Sequence, residues 1–431
     1  MVLSPKDPDI AFNEFINDLP ADYEQKAYDF KAFCRPRKVK SPAQLMQVVM
    51  SYCGIDQVLR EVAGNFTLLR ERISDTAIQK RLRACLPWLK ALLQQMWPGI
   101  DKVAGHLRFV IVDGSTVQAP GSKGTDYRLH VMMDLLKLEI LNIEVTDKRE
   151  GERIDRYPLQ NGDVVVADRG YNQPNRIIEL SKQGIFVVIR LNPWSMPLHW
   201  RAEDNAALNG QVLDLYSHLK YAKEDKICLP VWLGKPGNAV EGWIHAHRLP
   251  PDKAKEARRK CRKNAKKEPS KETLLFAEWR LIFTTVPDEV MDTDTIMKLY
   301  ELRWQVELLI KRLKSVLDAD TLRAKQDSEL ANVWLHGKLL YALVVEKRAR
   351  QQFGQEWAQL TDRSATWWRS WKMIRHELAA LITAPDYWQE ENRNACKKVM
   401  QERPRKRKLQ TIGDSLAKLI ESCQKLGNFY V

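Results

Sequence analysis

The stretch YELRWQVELLIKRLK, Tyr300 to Lys314, combines a helical apolar pattern with four polar side chains, Tyr300, Arg303, Glu307 and Lys314. At about 100° per residue these four fall within an arc of roughly 60°, so one helix over 300–314 would carry them as a single stripe. Leu302, Val306, Leu309, Leu313 and Val316 cluster on another side and offer that helix a face to bury. The pattern reads either as an ordinary amphipathic helix with a mixed-charge solvated edge or as a rigid mount for chemistry. The second reading needs partners for Glu307 elsewhere in the chain.

The chain has 431 residues, enough for several domains and a sizeable core, and its 44% hydrophobic and 29% charged content is that of a folded protein. With 69 Lys and Arg against 55 Asp and Glu, the net charge of +14 favours a polyanionic partner, nucleic acid first, although a membrane surface would ask for the same balance. Cysteines at 34, 53, 85, 228, 261, 396 and 423 include no closely spaced pair of the zinc-ribbon kind and read as free thiols of a reducing compartment. The N-terminus lacks a signal-peptide pattern, and no run of about 18 apolar residues suggests a membrane span. The expected location is the cytoplasm.

Residues 1–104 read as helical, in SPAQLMQVVMSYC, GIDQVLREVAG and SDTAIQKRLRACLPWLKALLQQM. Ser74 or Asp75 suits the N-cap of the third stretch, whose Lys80, Arg81 and Arg83 make either a DNA-contacting surface or merely a basic one. From 105 to 195 the texture turns to strands, HLRFVIVDGSTVQAP, YRLHVMMDLL, LEILNIEVTD, DVVVADRGY and GIFVVIRLNP, with a helical PNRIIELSKQG before the last. That order predicts an α/β sheet with an antiparallel start.

Residues 196–285 read as a β-rich insertion with strand candidates QVLDLYSHL, KICLPVWLG, VEGWIHAHRL and EWRLIFTTV. His245 and His247 alternate on one of these, but no nearby carboxylate or Cys completes a metal site. Between Lys253 and Lys271 the same region packs ten Lys and Arg against Glu256 and Glu268, a solvated run or a polyelectrolyte contact through Arg258, Arg259 and Lys260. Residues 286–350 contain the opening helix. Residues 351–431 are mostly helical, Trp-rich in a way that suggests core, and carry the basic run RPRKRK at 403–408.

Asp113 follows FVIV and precedes Gly114, and Asp168 follows VVVA and precedes Arg169-Gly170. Either alone is an ordinary turn residue. Two at strand ends of one sheet, with Glu307 on a helix, make three carboxylates that repel unless cations share their site. Oxygen-only ligands suit two Mg2+ ions, or Mn2+ in their place, and such a site performs phosphodiester chemistry without a His base or a Ser nucleophile. The chain shows no convincing Walker A loop or Ser-His-Asp pattern.

Asp113 in VDGST, Asp168 in VADRGY, and the Y-x2-R-x3-E-x6-K spacing of Tyr300, Arg303, Glu307 and Lys314 resemble the DDE transposases of bacterial insertion sequences, in the group with the YREK signature. AFCRPRKVKSP, SDTAIQKRL, RLHVMMDL and the long insertion before Glu307 also resemble that group. The resemblance implies a ribonuclease-H-like core interrupted by a β-rich insertion and flanked by helical regions. It implies cut-and-paste movement of an element whose terminal inverted repeats the protein binds as a homodimer, with double-stranded DNA as both end and target.

In that family reading Asp113, Asp168 and Glu307 hold the metals, while Tyr300, Arg303 and Lys314 grip phosphates near the cut end. Trp279 stacks on a base flipped out as the end closes into a hairpin. Arg169, Arg190, Lys80, Arg81, Arg83, Arg258, Arg259 and Lys260 are further expected DNA contacts. The alternatives are a DNA-binding regulator that does not cut and a structure-specific endonuclease that cuts without joining.

Overall fold

Alternation along the strands decides which helix each side chain meets. In β1 (Arg108–Val117) Ile111 enters one core, whereas Val110 and Val112 enter another on the opposite face of the sheet. In the computed structural model, residues 8–97, 107–353 apart from 203 and 236, and 367–400 are described. The run at 403–408, Trp357 and Cys423 lie outside them.

Among the described residues six α-helices precede β1, α1 (Pro8–Ile16), α2 (Tyr23–Asp29), α3 (Pro42–Val49), α4 (Leu59–Leu69), α5 (Asp75–Arg83) and α6 (Leu86–Met96), with a π-helical turn at Met50–Gly54 after α3. The Ser74 hydroxyl caps α5 by accepting from Ala77 N at 3.2 Å, as its sequence suggested. Strands β2 (Tyr127–Asp134), β3 (Glu139–Asp147) and β4 (Asp163–Ala167) follow, then α7 (Pro174–Lys182) and β5 (Phe186–Arg190). β1, β2 and β3 form an antiparallel meander, while β4 and β5 run parallel to β1.

Next come β6 (Leu198–Trp200), α8 (Leu215–Lys220), β7 (Lys226–Lys235), β8 (Asn238–Arg248), α9 (Pro251–Asn264), α10 (Lys271–Phe276) and β9 (Trp279–Thr284). QVLDLYSHL is therefore not the expected strand. The Asp214 carboxylate accepts from Ser217 N at 3.0 Å and starts α8 instead. The insertion's strands do not stand apart either: β9 pairs antiparallel with β5, and the sheet continues to nine strands in the order β3-β2-β1-β4-β5-β9-β8-β7-β6.

Then come, among the described residues, α11 (Thr293–Leu302), α12 (Trp304–Leu317), α13 (Glu329–Phe353), α14 (Trp367–Thr383) and α15 (Arg393–Met400). The single helix expected over 300–314 is divided at Arg303, which remains in right-handed helical conformation between α11 and α12. Because α11 and α12 are separate, Leu302 does not join the buried face and is 40% exposed, whereas Val306, Leu309, Leu313 and Val316 are buried.

One face of the sheet, with α11 to α14, shares a core with the N-terminal helices. Lys338 of α13 lies buried inside it, donating to Gly54 O at 2.9 Å and to Asp56 at 2.7 Å, while Trp334 Nε1 donates to the same carboxylate at 3.0 Å. The other face packs on α7, α8 and α10. Trp334 and Trp371 are core residues, as the sequence suggested, but Trp388 is 45% exposed.

Candidate active site

Register assembles the site. Ile111 of β1 pairs with Val166 of β4, and Val166 pairs with Val188 of β5. These side chains all point into the core shared with α12. Two residues further along the same strands come Asp113, Asp168 and Arg190, which period two turns to that same face at the carboxyl edge of the parallel strands. α12 packs across β1 and β2 and brings Glu307 to them.

Arg303 joins the two sources of carboxylate. Its Nη2 donates to Glu307 Oε1 one turn along, its Nη1 stands 3.8 Å from Asp113 Oδ2, and its guanidinium carbon lies 5.7 Å from the Tyr300 ring centroid. Tyr300, Arg303 and Glu307 thus keep their common stripe across the division between α11 and α12. Lys314 follows two turns later, half-buried.

Backbone hydrogen bonds aim the two aspartates: Gly114 N donates to Asp113 Oδ1 at 2.8 Å, and Gly170 N donates to Asp168 Oδ1 at 2.7 Å. Burial pushes the Asp113 carboxyl up to about 6, against the opposing pull of the Gly114 hydrogen bond and Arg303, with Asp168 and Glu152 adding repulsion. Glu152, in the loop after β3, is raised by burial and then by the charge of Asp168. Burial likewise holds the Arg190 guanidinium below its ordinary range, with Arg169, Arg280 and Arg303 as like-charged neighbours. Three acids and a ring of arginines therefore share one edge of the sheet.

RGYN does structural work at this edge. Tyr171 is buried and its hydroxyl meets that of Tyr157 at 3.0 Å, while Tyr157 donates to Asp113 O at 3.3 Å. Asn172 Nδ2 donates to Arg169 O at 3.0 Å and to Arg190 O at 2.7 Å, tying the ends of β4 and β5 together. Arg169 itself is exposed beside Asp168.

Among the described residues no three His, Cys, Asp or Glu side chains stand in a metal-holding cluster. The Arg303 guanidinium bridges Asp113 and Glu307 instead. The donor set nevertheless fits a hard divalent cation, because the carboxylates facing this edge supply oxygen alone.

Trp279 is not where base stacking needs it. With Leu281 and Phe283 it faces the core opposite the acids, is 4% exposed, and lies beneath Arg248, whose guanidinium carbon is 4.6 Å from the ring centroid. It is a core tryptophan whose ring offers no open face. Trp304, 52% exposed and next to Arg303, is an accessible indole beside the site, unflagged at the sequence level although it stands inside YELRWQVELLIKRLK.

His245, buried, meets Thr293 Oγ1 through Nδ1 at 2.9 Å and so anchors the start of α11 to β8. Lys80 and Arg81 line a cleft of about 510 Å³ with Arg35, Arg37 and Lys38, and no carboxylate is among its lining residues. Arg83 pairs with Glu329 at 3.1 Å. On α9, Arg258 pairs with Glu278 at 2.5 Å and Lys260 with Glu256 at 2.8 Å, with Arg259 between them on the exposed helix.

One aspartate within β1, one just after the parallel β4, and a glutamate on the helix that crosses that face, with arginines around them, make up the candidate site. Residues 104–343 match the family described as the transposase DDE domain. The chain is 31% identical over 347 residues to the putative transposase InsL of insertion sequence element IS186A from Escherichia coli K12, covering 76% of this chain and 90% of that one. To the transposase of insertion sequence element IS421 from Escherichia coli it is also 31% identical, over 348 residues with the same coverage. The transposase of insertion sequence element IS231F from Bacillus thuringiensis subsp. israelensis is 25% identical over 250 residues, 51% of this chain and 50% of that one. The chain belongs to the DDE transposases of bacterial insertion sequences, enzymes that cleave DNA and transfer its strands.

Proposed function

We propose that this transposase binds the terminal inverted repeats of its own element as a homodimer on double-stranded DNA. It cleaves at the ends, closes them through a hairpin intermediate, and joins the freed 3′-hydroxyls to target DNA. The alignment of Asp113 and Asp168 on the sheet face that α12 crosses with Glu307 carries the reading. The strand order β3-β2-β1-β4-β5, with an antiparallel start and two parallel strands after it, supports a ribonuclease-H-like core. Among the described residues no helix is long and apolar enough to cross a membrane, and the basic charge suits work at the nucleoid.

Asp113, Asp168 and Glu307 would hold two Mg2+ ions, or Mn2+ in their place. Bound there, the ions would lower the pKa of a water or 3′-hydroxyl nucleophile and steady the leaving oxygen. Tyr300, Arg303 and Lys314 grip the phosphates flanking the scissile bond, and Arg169 and Arg190 extend that grip along the sheet edge. Arg303 leaves its carboxylates for a phosphate as DNA and cations enter. Lys80 and Arg81, and Arg258, Arg259 and Lys260 on α9, add sequence-independent backbone contacts, with Arg83 beside them.

The test is a labelled duplex carrying the element's own end, incubated with the full chain and Mg2+, Mn2+ or Ca2+. The expected products in Mg2+ and Mn2+ are a nick, a hairpin and joined target in that order. End binding without a nick under any of these conditions would make the protein a regulator, and nicking without joining would make it an endonuclease.

A further inference from the structure

Two glycines next to the catalytic aspartates leave space that another acid fills. A methyl group placed on Gly170 would stand 2.5 Å from Glu152 Oε2 and 3.1 Å from Asp168 Oδ1. One placed on Gly114 would stand 3.0 Å from Glu152 Oε1. A side chain at either position would therefore crowd the Glu152 carboxylate, which reaches between Gly114 within β1 and Gly170 in the turn after β4.

Glu152 is held there from both sides. Gln173 Nε2, at the entry to α7, donates to the Glu152 carbonyl at 2.6 Å, and the side chain of Ile154 two residues on is fully buried. Arg128 stands at 4.0 Å from it with no hydrogen bond between them, a loose ion pair beside the two carboxylates. Two carboxylates, Glu152 and Asp168, share one small space, an arrangement that repulsion opposes unless a cation enters it.

We propose that Glu152 is a fourth carboxylate of the divalent-cation site, acting with Asp168 to hold the cation or its water shell. The inference rests on the DDE reading above and extends it to a residue outside the three acids. A cation bound on Asp168 would have Glu152 at its flank, directly or through one of the waters such ions keep. Gly114 and Gly170 are then part of the site because they make room for it.

The experiment measures Mn2+ binding to the full chain by electron paramagnetic resonance, with no DNA present, in the wild type and in Glu152→Gln, Asp168→Asn and Gly170→Ala. Glu152→Gln keeps the shape and the Gln173 bond but loses the charge. It should weaken Mn2+ binding roughly 10-fold or more, with thermal stability in the absence of metal unchanged, and excess Mn2+ should restore its end cleavage. Gly170→Ala, which keeps every carboxylate but moves Glu152, should weaken binding in the same direction. If Glu152→Gln binds Mn2+ like the wild type while Asp168→Asn does not, the inference is wrong and the DDE site stands. If Asp168→Asn also binds like the wild type, the metal-site reading fails, and the inference with it.

Discussion

Arg303 Nη1 lies 3.8 Å from Asp113 Oδ2 while Nη2 of the same guanidinium donates to Glu307. One cation from the helix thus balances two acids from two different elements. If, as proposed, a DNA phosphate competes for it, that double duty governs the first prediction.

Arg303→Ala should cut end cleavage by at least about two orders of magnitude and lower the salt dependence of end binding by about one phosphate contact. Mn2+ binding to the free protein should persist, because the acids remain and their competitor is gone. Cleavage and a salt slope equal to the wild type's would return Arg303 to the role of a solvated helix residue.

Asp113→Asn, Asp168→Asn and Glu307→Gln should each abolish nicking while end binding holds within a few-fold, since on the proposed reading these groups would hold cations rather than DNA. Gel shifts and a nicking assay on the same preparations decide this. Mg2+-dependent nicking by any one of the three would remove that residue from the site.

Trp279→Ala should behave as a core truncation, costing about 3–5 kcal/mol in urea denaturation, with nicking and hairpin formation falling together. Trp304→Ala, at an exposed position, should leave stability within about 0.5 kcal/mol. A Trp279→Ala protein of unchanged stability that nicks normally but fails to form hairpins would restore the stacking role.

Removing Lys338 by Lys338→Met should destabilise the protein by about 3–5 kcal/mol, because Asp56 is left buried without its cation. Adding Asp56→Leu should recover much of that loss. If the double variant is no more stable than the single one, the pair is not what holds the N-terminal helices to α13.

His245 is held neutral by burial, its pKa pushed down to about 4 from an ordinary value near 6.5. The unfolded chain takes up a proton there first as pH falls, so the stabilisation present above pH 6.5 is lost on the way down through 4. The slope is about 1.4 kcal/mol per pH unit for this one group. Compared with the wild type, His245→Asn should show a stability curve flatter by one proton between those values. Parallel curves would mean that His245 titrates alike in both states.

Much of the layout of the candidate site was legible in the chain. Asp113 and Asp168 follow apolar strand runs, and period two along those runs is a local property that survives any packing. The spacing of Tyr300, Arg303, Glu307 and Lys314 is equally local, which is why their stripe persists across the division at Arg303. The N-cap at Ser74 needed only its neighbours.

Tertiary structure decided what depends on distant partners. Trp279 begins an alternating strand, and the alternation alone does not say which set of side chains meets α12; the pairing of β9 with β5 and β8 turned the indole away from the acids. The same pairings made the insertion a continuation of one sheet, because an open edge at β5 binds any strand delivered to it. Glu152 sits in an unremarkable GERID segment and reaches Asp168 only because the loop after β3 folds back over Gly114 and Gly170. Local periodicity determines which residues share a face, and only the long-range register determines which faces meet.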